Sequence, residues 1–387
     1  MSKTNIVARI SGSAKEVGAE AWNACTNPDG VPDPHPFTRY EFFQAMEESG
    51  SAAARTGWQP CHLVIEREGE MYGLLPLYLK NHSRGEYVFD WGWADAFERA
   101  GGQYYPKLQA SVPFTPVTGR RLLVSRGAAE EEARNALLAA GASAVKELGA
   151  SSLHITFLTE DEWRAAGEIG FLQRTDQQFH WENRGYSNFD QFLGDLSSSK
   201  RKNLRKERAA VFAEGVEFEW LTGRDITEAD WDQFFAFYTN TGRRKWGRPY
   251  LTREFFSRMG ESMSKQILLV MAKGNGRYIG GALNFFGEGV LFGRNWGCTE
   301  YIPFLHFETC YYQAIEFAIT RGLKRVEAGA QGEHKLLRGY LPVPTYSAHY
   351  IAHPGLRRAV ADYLTAERAA VAQNIEALAE HGPYRKA

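Results

Sequence analysis

The feature of this sequence that most constrains its fold is a loose internal repeat. In each half, three apolar runs typical of β-strands precede a helix-like stretch and one more strand. Phe89 and Trp93 of the first copy align with Phe292 and Trp296 of the second. The first copy comprises strands at 61–69, 71–79 and 86–93 and a helix and strand at 133–158; the second comprises 266–276, 278–286, 289–297 and 307–329.

Two such units predict an α+β fold in which helices flank mixed, largely antiparallel sheets. We expect an N-terminal unit over 1–175 and a C-terminal unit over 176–387. The first unit carries an insert, about 95–120, that is rich in glycine, proline and aromatic residues. Further helices are predicted over 197–215, where serines precede good helix formers, and over 355–382, which is amphipathic.

The composition limits the possible partners. With 387 residues and a formal net charge of −1, the chain has no global field that would attract nucleic acid or an anionic membrane. The four cysteines are widely spaced without a CxxC pair, so neither a metal site nor a disulfide framework is expected. The N-terminus shows no apolar signal core, and no apolar run approaches the ~20 residues of a spanning helix. We therefore expect a cytoplasmic protein, with peripheral contact at the inner membrane as an open alternative.

Titratable residues crowd the segment EAGAQGEHKLLRGYLPVPTYSAH, residues 327–349. The segment follows a helix and a strand, and Gly329 and Gly332 allow close approach of the backbone to a ligand. Such crowding where a strand meets a loop is what proton-transfer chemistry requires, whereas the ordinary alternative is a solvated surface turn. The titratable residues are Glu327, Glu333, His334, Lys335, Arg338 and His349.

The chain also resembles known acyltransferases. The order of strands and helix in the second unit is similar to that of GNAT acyltransferases, which hold a thioester between central strands. Longer pieces resemble the FemAB-like family, named for peptidoglycan biosynthesis or recognition, whose members carry two GNAT-like units. These pieces are HPFTRYEFFQAMEESGS (35–51), TGWQP (56–60), PLYLKNHSRGEYVFDWGWA (76–94), YYPKL (104–108), PFTPVTG (113–119), HFETCYY (306–312) and the segment 327–349.

This resemblance implies two tandem GNAT-like units that transfer an acyl group to a primary amine, without a bound cofactor. Some members of the group look like bacterial ceramide-forming enzymes, which would acylate a long-chain, sphingoid-type amine with acyl-CoA as co-substrate. Better-known relatives transfer amino acids from aminoacyl-tRNA to peptidoglycan precursors, and only that alternative makes nucleic acid a partner. A third alternative is a non-catalytic module that binds envelope material. The acyl thioester would lie between the strands 278–286 and 289–297.

Acyl transfer to an amine needs a base, because an alkylamine with a pKa near ~10 costs about 4 kcal/mol to deprotonate at pH 7. Glu308 lies in the first turn of a predicted helix, where it either acts as the base or is simply favoured by the helix dipole. His306 just precedes that helix and either takes the proton or caps the helix.

Other candidates for the base lie in the segment 327–349. Glu333 and His334 are candidates because they lie where titratable residues are most crowded. Glu327 either faces the cleft or pairs with a neighbouring cation. Lys335 and Arg338 would share a face of a short helix, where they could bind a phosphate or a carboxylate.

Substrate contacts are expected at strand ends and in the aromatic insert. Arg294, Asn295 and Trp296 end the strand opposite the presumed thioester. Asp90 and Trp91 occupy the equivalent region of the first unit and would act only if the two units share one cleft. Aromatic residues such as Tyr105 in the insert could line an apolar cleft for a lipid-like substrate.

A basic run provides a possible anion site. Lys200, Arg201, Lys202 and Arg205 would bind the phosphates of coenzyme A, a tRNA or an anionic membrane, or would form a solvated face. The sequence GCTEYIPF (297–304) stands where GNAT proteins carry a Q/R-x-x-G-x-G/A pyrophosphate loop, so this chain departs from that pattern.

Overall fold

The computed structural model describes residues 5–245, 249–329 and 332–385. It divides into two compact units. Unit 1 comprises Met1–Asp176 and Pro344–Gln373, and unit 2 comprises Gln177–Val343 and Asn374–Ala387. Among the described residues, none of the helices is both long enough and apolar enough to cross a membrane.

The bounds of the strands and helices are as follows. The strands are β1 (Ile6–Ser11), β2 (Trp58–Pro60), β3 (His62–Arg67), β4 (Glu70–Leu75), β5 (Tyr78–Lys80), β6 (Lys107–Ala110), β7 (Leu123–Val124), β8 (Ser152–Leu158), β9 (Leu172–Glu182), β10 (Glu217–Thr222), β11 (Ile267–Gly274), β12 (Arg277–Gly287), β13 (Val290–Cys298), β14 (Arg325–Glu327) and β15 (Leu341–Ile351). The α-helices are α1 (Ala14–Val17), α2 (Ala19–Thr26), α3 (Tyr40–Glu48), α4 (Trp91–Arg99), α5 (Glu130–Glu147), α6 (Glu160–Glu168), α7 (Phe189–Asp195), α8 (Ser198–Ala213), α9 (Glu228–Lys245), α10 (Arg253–Met263), α11 (Leu305–Phe307), α12 (Gln313–Thr320) and α13 (Pro354–Glu380).

Unit 1 contains two sheets. In the first, β1, β3, β4 and β7 pair antiparallel in that order. In the second, β15 pairs with β8, followed by β6, β5 and β2, and the pair β6–β8 is parallel. Helix α5 packs closely on these strands, because a Cβ at Gly141 would lie 2.8 Å from the Cδ2 of Leu153. Its buried Leu137 and Leu138 join the core of the unit.

Unit 2 is built on one sheet in the order β10, β11, β12, β13, β14 and β9, in which only the described pair β13–β14 is parallel. The helix that runs from Leu305 to Thr320 covers one face, and its Ile315 and Ala318 join a core with residues of β11–β14. Helix α9 packs against β13, where a Cβ at Gly297 would lie 2.1 Å from the carbonyl oxygen of Phe237. The expected fold class, two GNAT-like α+β units with mixed and largely antiparallel sheets, is confirmed.

The expected third strand of the first copy, 86–93, is wrong. Helix α4 begins at Trp91, with Asp90 as its N-cap residue. The reason is a helical spacing of apolar residues: Trp93 and Ala94 are buried in a cluster with the start of α13, and Phe97 packs against it. The strand that pairs with β8 is β6, which lies inside the presumed insert. The alignment of Phe89 and Trp93 with Phe292 and Trp296 therefore fails.

The other predicted elements differ less from the structure. The run 71–79 forms two strands, β4 and β5, which part at Pro76 because proline has no N–H to donate to the ladder. The predicted helices 197–215 and 355–382 are present as α8 and α13.

Candidate active site

A small cavity opens in unit 2 where β12 and β13 lose their regular pairing. Leu283 lies opposite Asn295 and Asn284 lies opposite Gly293, so Arg294 is an extra residue in β13 that forms a β-bulge. The cavity has a volume of about 100 Å³. Its walls are formed by Ala282, Leu283, Asn284, Gly293, Arg294, Asn295, Trp296, His306, Cys310, Tyr311 and Ala328.

The helix that closes the cavity has a widened first part. Leu305–Phe307 forms a short α-turn, Glu308–Tyr312 forms a π-helical turn, and α12 continues from Gln313. A π-turn adds a residue per turn and changes which side chains face a neighbour. Here Cys310 and Tyr311, the consecutive residues within the turn, both line the cavity.

Glu327 is an acid of β14 whose carboxyl group is incompletely hydrogen-bonded. It is 5% exposed and lies next to Ala328, which lines the cavity. Its Oε2 has no hydrogen-bond partner among the described residues; His180 Nε2 lies 3.8 Å from it, and Arg325 Nη1 lies 3.9 Å from Oε1. Burial raises the pKa of Glu327 to about 8, while the charges of Arg325 and Arg294 oppose the rise. A carboxyl group of this pKa can accept a proton near neutral pH.

His180, which lies opposite Glu327 on β9, is a neutral neighbour. Burial lowers the pKa of His180 to about 3, and the nearby cations Arg325 and Lys335 lower it further. The imidazole therefore gives Glu327 no positive charge to pair with. This explains why burial dominates the pKa of the carboxyl group.

His306, Tyr311 and His334 form an aromatic group at the cavity. The hydroxyl of Tyr311 and Nε2 of His334 are hydrogen-bonded at 3.0 Å, and burial raises the pKa of Tyr311 above its ordinary value. The His306 ring lies 5.4 Å from the rings of both Trp296 and Tyr311. The structure thus brings together His306, His334 and Trp296, three of the residues that the sequence predicts for the site.

Glu308 is held in an ion pair. Arg208 donates from Nε and Nη2 to its two carboxylate oxygens at 3.1 and 2.9 Å, and Gln313 donates to Oε1 at 2.8 Å. Burial raises the pKa of Glu308, and Arg208 opposes that rise. The carboxylate of this fully buried side chain is saturated by donors, which favours the structural role of Glu308 over the catalytic one.

The cations of the segment 327–349 are also engaged. Lys335 donates to the carbonyl of Gly329 at 2.8 Å, and burial lowers its pKa to about 8. Arg338 donates to both carboxylate oxygens of Glu207 at 2.8 and 2.9 Å and to the carbonyl of His334 at 2.7 Å. The side chain of Glu333 lies outside the described residues. The expected helical turn is present as a 3₁₀ helix, but its buried cations bind the protein itself.

The predicted anion-binding residues lie on helix α8. Lys202 and Arg205 are exposed, and Lys200 and Arg201 are half-buried. Arg205 pairs with the exposed Asp190 at 3.2 Å, and none of the four lines the cavity.

The three candidates of the first unit belong to unit 1. Asp90 is buried and accepts a hydrogen bond from Lys107 at 2.5 Å and another from Tyr104 at 2.7 Å. Trp91 is 47% exposed. The hydroxyl of Tyr105 is hydrogen-bonded to Ser83 at 2.8 Å, so its polar end belongs to the network around Lys107.

Sequence reasoning missed several residues of both units. In unit 2 these are Asn284, Cys310, Tyr311 and His180; the polar Asn284 within an apolar strand was the one available signal. In unit 1 it missed a buried network around Lys107, whose Nζ also donates to Glu86 at 2.7 Å and Ser83 at 2.8 Å. His349 lies in unit 1, hydrogen-bonded to His154 through the two Nδ1 atoms at 2.7 Å.

The α+β units, with a cavity where β12 and β13 lose their regular pairing, define a protein of the acyltransferase-type GNAT fold. The chain belongs to the FemAB-like family, described as peptidoglycan biosynthesis/recognition, which matches residues 13–386. No curated protein sequence matches the chain.

Solved structures share this fold at low sequence identity. FemX is 12% identical with a TM-score of 0.55, over 92% of this chain and 100% of that chain. L-PGS from Bacillus licheniformis is 10% identical with a TM-score of 0.52, over 87% of this chain and 99% of that chain. The C-terminal domain of a putative lysylphosphatidylglycerol synthetase from Agrobacterium fabrum is 10% identical with a TM-score of 0.52, over 92% and 97% of the two chains.

Proposed function

We propose that the protein is an N-acyltransferase that moves an acyl group from an activated donor to a primary amine in the unit 2 cavity. One observation carries this proposal: the buried carboxyl group of Glu327, the residue before Ala328 of the cavity wall, has an oxygen without a hydrogen-bond partner among the described residues. Leaving such a group unpaired costs stability, so a functional reason for it is expected. FemAB-like membership supports the same reaction class.

Glu327 would act as the general base. An ammonium group with a pKa near ~10 transfers its proton to a carboxylate of pKa about 8 at a smaller cost than to an ordinary carboxylate. The free amine then attacks the acyl carbon, and the bond from that carbon to the leaving group breaks as the amide forms. The side-chain amide of Asn295 in the cavity wall is a donor for the oxyanion. The second proton of the nitrogen goes to the leaving group through the Tyr311 hydroxyl, which gives its own proton to the leaving group and takes up the one from nitrogen.

The first candidate pair of substrates is a long-chain acyl-CoA as donor and a long-chain, sphingoid-type amine as acceptor. The supporting observation is a band of aromatic residues beside the cavity: Tyr301 is 89% exposed, Phe304 is 37% exposed, and the ring of Phe304 lies 6.3 Å from that of Phe307. Phe307 in turn packs on Tyr311, which lines the cavity. Alkyl chains bind to surfaces of this kind.

The second candidate pair is an aminoacyl-tRNA and a peptidoglycan precursor. It is favoured by the family description and by the exposed cations of α8, which would bind phosphates. In this case the leaving group is a tRNA hydroxyl instead of a thiol, and Glu327 has the same role.

The test is a donor and acceptor panel with the Glu327→Gln variant. Purified protein would be incubated with short- and long-chain acyl-CoA and with aminoacyl-tRNA, each with a long-chain amine, a short amine or a peptidoglycan precursor, and the amide product measured by mass spectrometry. We expect product with one donor class and a loss of at least about 100-fold in Glu327→Gln. Glu219→Gln is the matched control, because Glu219 pairs with Lys273 on β11 and does not line the cavity. Absence of product with every pair would leave the non-catalytic binding module as the better account.

A further inference from the structure

Helix α8 carries exposed cations on its outer side and an acid on its inner side. Its exposed side carries Lys202, Arg205 and Lys206. The acid of this run, Glu207, points inward and accepts hydrogen bonds from Arg338 and Tyr312. The helix itself therefore does not cancel the positive charge on its outer side; Arg205 pairs with the exposed Asp190, and the remaining positive charge is that of Lys202 and Lys206. In a chain of net charge −1, this is a local basic surface.

Exposed apolar residues continue this surface toward the C-terminus of α8. Ala209 and Phe212 follow Arg205 on the same side of the helix, at i+4 and i+7, and Phe212 is 46% exposed. We define the basic face as Lys202, Arg205 and Lys206, and the aromatic rim as Phe212, Tyr301 and Phe304.

Contacts within unit 2 place the aromatic rim beside α8. Val211 of α8 and Leu305 belong to one buried cluster, and Ile302 packs against it. Arg208 of α8 holds Glu308 in the following turn of the helix at 2.9 Å. The loop that carries Tyr301 and Phe304 therefore adjoins the C-terminal half of α8. The same loop joins Trp296 to His306, both of which line the cavity.

We propose that the basic face and the aromatic rim dock unit 2 on an anionic lipid surface. Lysine and arginine side chains bind anionic headgroups, and aromatic side chains favour the boundary between headgroups and acyl chains. Because the rim borders the cavity, docking would present a membrane-embedded amine to the acyl-transfer site, a consequence that rests on the proposed function. A tRNA is the competing occupant of the basic face, since an unpaired base could stack on the almost fully exposed Tyr301, and vesicle binding against tRNA binding distinguishes the two.

Vesicle co-sedimentation of the full chain, without substrate, tests the docking. We expect binding to vesicles of phosphatidylcholine with phosphatidylglycerol, at least tenfold weaker binding to phosphatidylcholine alone, and a loss of binding at high salt. The triple variant K202Q/R205Q/K206Q should bind about 100-fold more weakly, since each cation near such a surface contributes about fivefold. Tyr301→Ser with Phe304→Asn should weaken binding about tenfold; asparagine tolerates the positive φ of 66° at position 304.

Matched controls come from exposed residues of unit 1. K15Q/R126Q/K146Q removes as many charges, and Tyr363→Ser removes a side chain that is 52% exposed; both should bind as the wild type does. Equal binding to neutral and anionic vesicles would overturn the proposal. So would retention of tRNA without any vesicle binding, or equal losses in the controls. Because the measurement needs no turnover, a protein that binds vesicles but transfers no acyl group would refute the proposed function alone.

Discussion

Two buried carboxyl sites, one in each unit, differ in how close their cations lie. In unit 1, Lys107 donates to Asp90 and Glu86, and one oxygen of each carboxylate is thereby neutralised beside the parallel pair β6–β8. In unit 2, Glu327 lies on the parallel pair β13–β14, and its neighbouring nitrogens stay 3.8 and 3.9 Å away. At both sites a carboxylate oxygen lacks a hydrogen-bond partner among the described residues. Glu86 and Asp90 nevertheless share a bonded lysine ammonium, whereas the guanidinium nearest to Glu327 stays beyond hydrogen-bond distance. We therefore expect substitutions in the Lys107 network of unit 1 to lower the free energy of unfolding, and substitution of Glu327 to lower the rate of acyl transfer.

Lys107→Met should give the largest effect on this comparison. The substitution leaves Asp90 and Glu86 buried without their shared cation, which should lower the free energy of unfolding of unit 1 by about 3–5 kcal/mol. Thermal and urea unfolding would measure it, with the exposed Lys146→Met as control. A change of less than about 1 kcal/mol would contradict the assignment of the network as a structural core.

Glu327→Gln should lower the rate of acyl transfer by at least about 100-fold, which corresponds to about 2.7 kcal/mol in the barrier, without lowering stability. Single-turnover rates and thermal unfolding of the same preparation would separate the two quantities. A variant that loses stability and activity together would show that Glu327 belongs to the core after all.

Glu308→Gln, although it lies in unit 2, should lower stability more than activity, as a substitution in the Lys107 network should. Arg208 would lose its bidentate partner but would keep Glu316 at 2.8 Å, so we expect a loss of about 1–3 kcal/mol in stability. Activity per folded molecule should fall far less than in Glu327→Gln. A full loss of activity at unchanged stability would instead make Glu308 the base.

The pH dependence of stability should differ between wild type and Glu327→Gln. Burial raises the pKa of Glu327 from an ordinary 4.5 to about 8, so between these values the folded state holds a proton that the unfolded state has lost. Wild-type stability should therefore fall as pH rises through this window, and the Gln variant should lack that part of the fall. Unfolding curves at pH 5 and pH 8 would show it; a constant difference would refute the raised pKa.

The rate itself should follow the ionisation of the same group. A carboxylate base must be ionised, so the rate should rise about tenfold per pH unit below pH 8 and level off above it. The Gln variant should lack this slope. A profile that levels near pH 6 would point to a base other than Glu327.

Local patterns in the sequence predict the elements of unit 2 well. The strands β11, β12 and β13 follow from apolar runs with turns between them, and α8 and α13 follow from helical spacing. The run 86–93 was wrongly predicted as a strand because Tyr87, Val88 and Phe89 are strong strand formers. The packing of Trp93 with α13 stabilises a helix from Trp91 onward instead. Local propensity was overridden there by a contact distant in sequence.

The site was harder to predict because its electrostatics arise from distant residues. Nothing near Glu327 in the sequence shows that His180 of β9 lies opposite it or that it loses contact with water. Likewise, Glu308 looked like a base until Arg208, a hundred residues earlier, was found to hold it. Titratable residues can be located from sequence, but whether their charges are paired depends on the tertiary structure.

The division of the chain also has a consequence for the order of its synthesis. Unit 1 includes Pro344–Gln373, which supplies the strand that pairs with β8 and apolar residues of α13 that pack on α4. A ribosome therefore releases most of unit 2 before the last strand of unit 1 exists. Until then the edge of β8 is unpaired, so a nascent chain stalled before residue 344 should need protection against association through that edge.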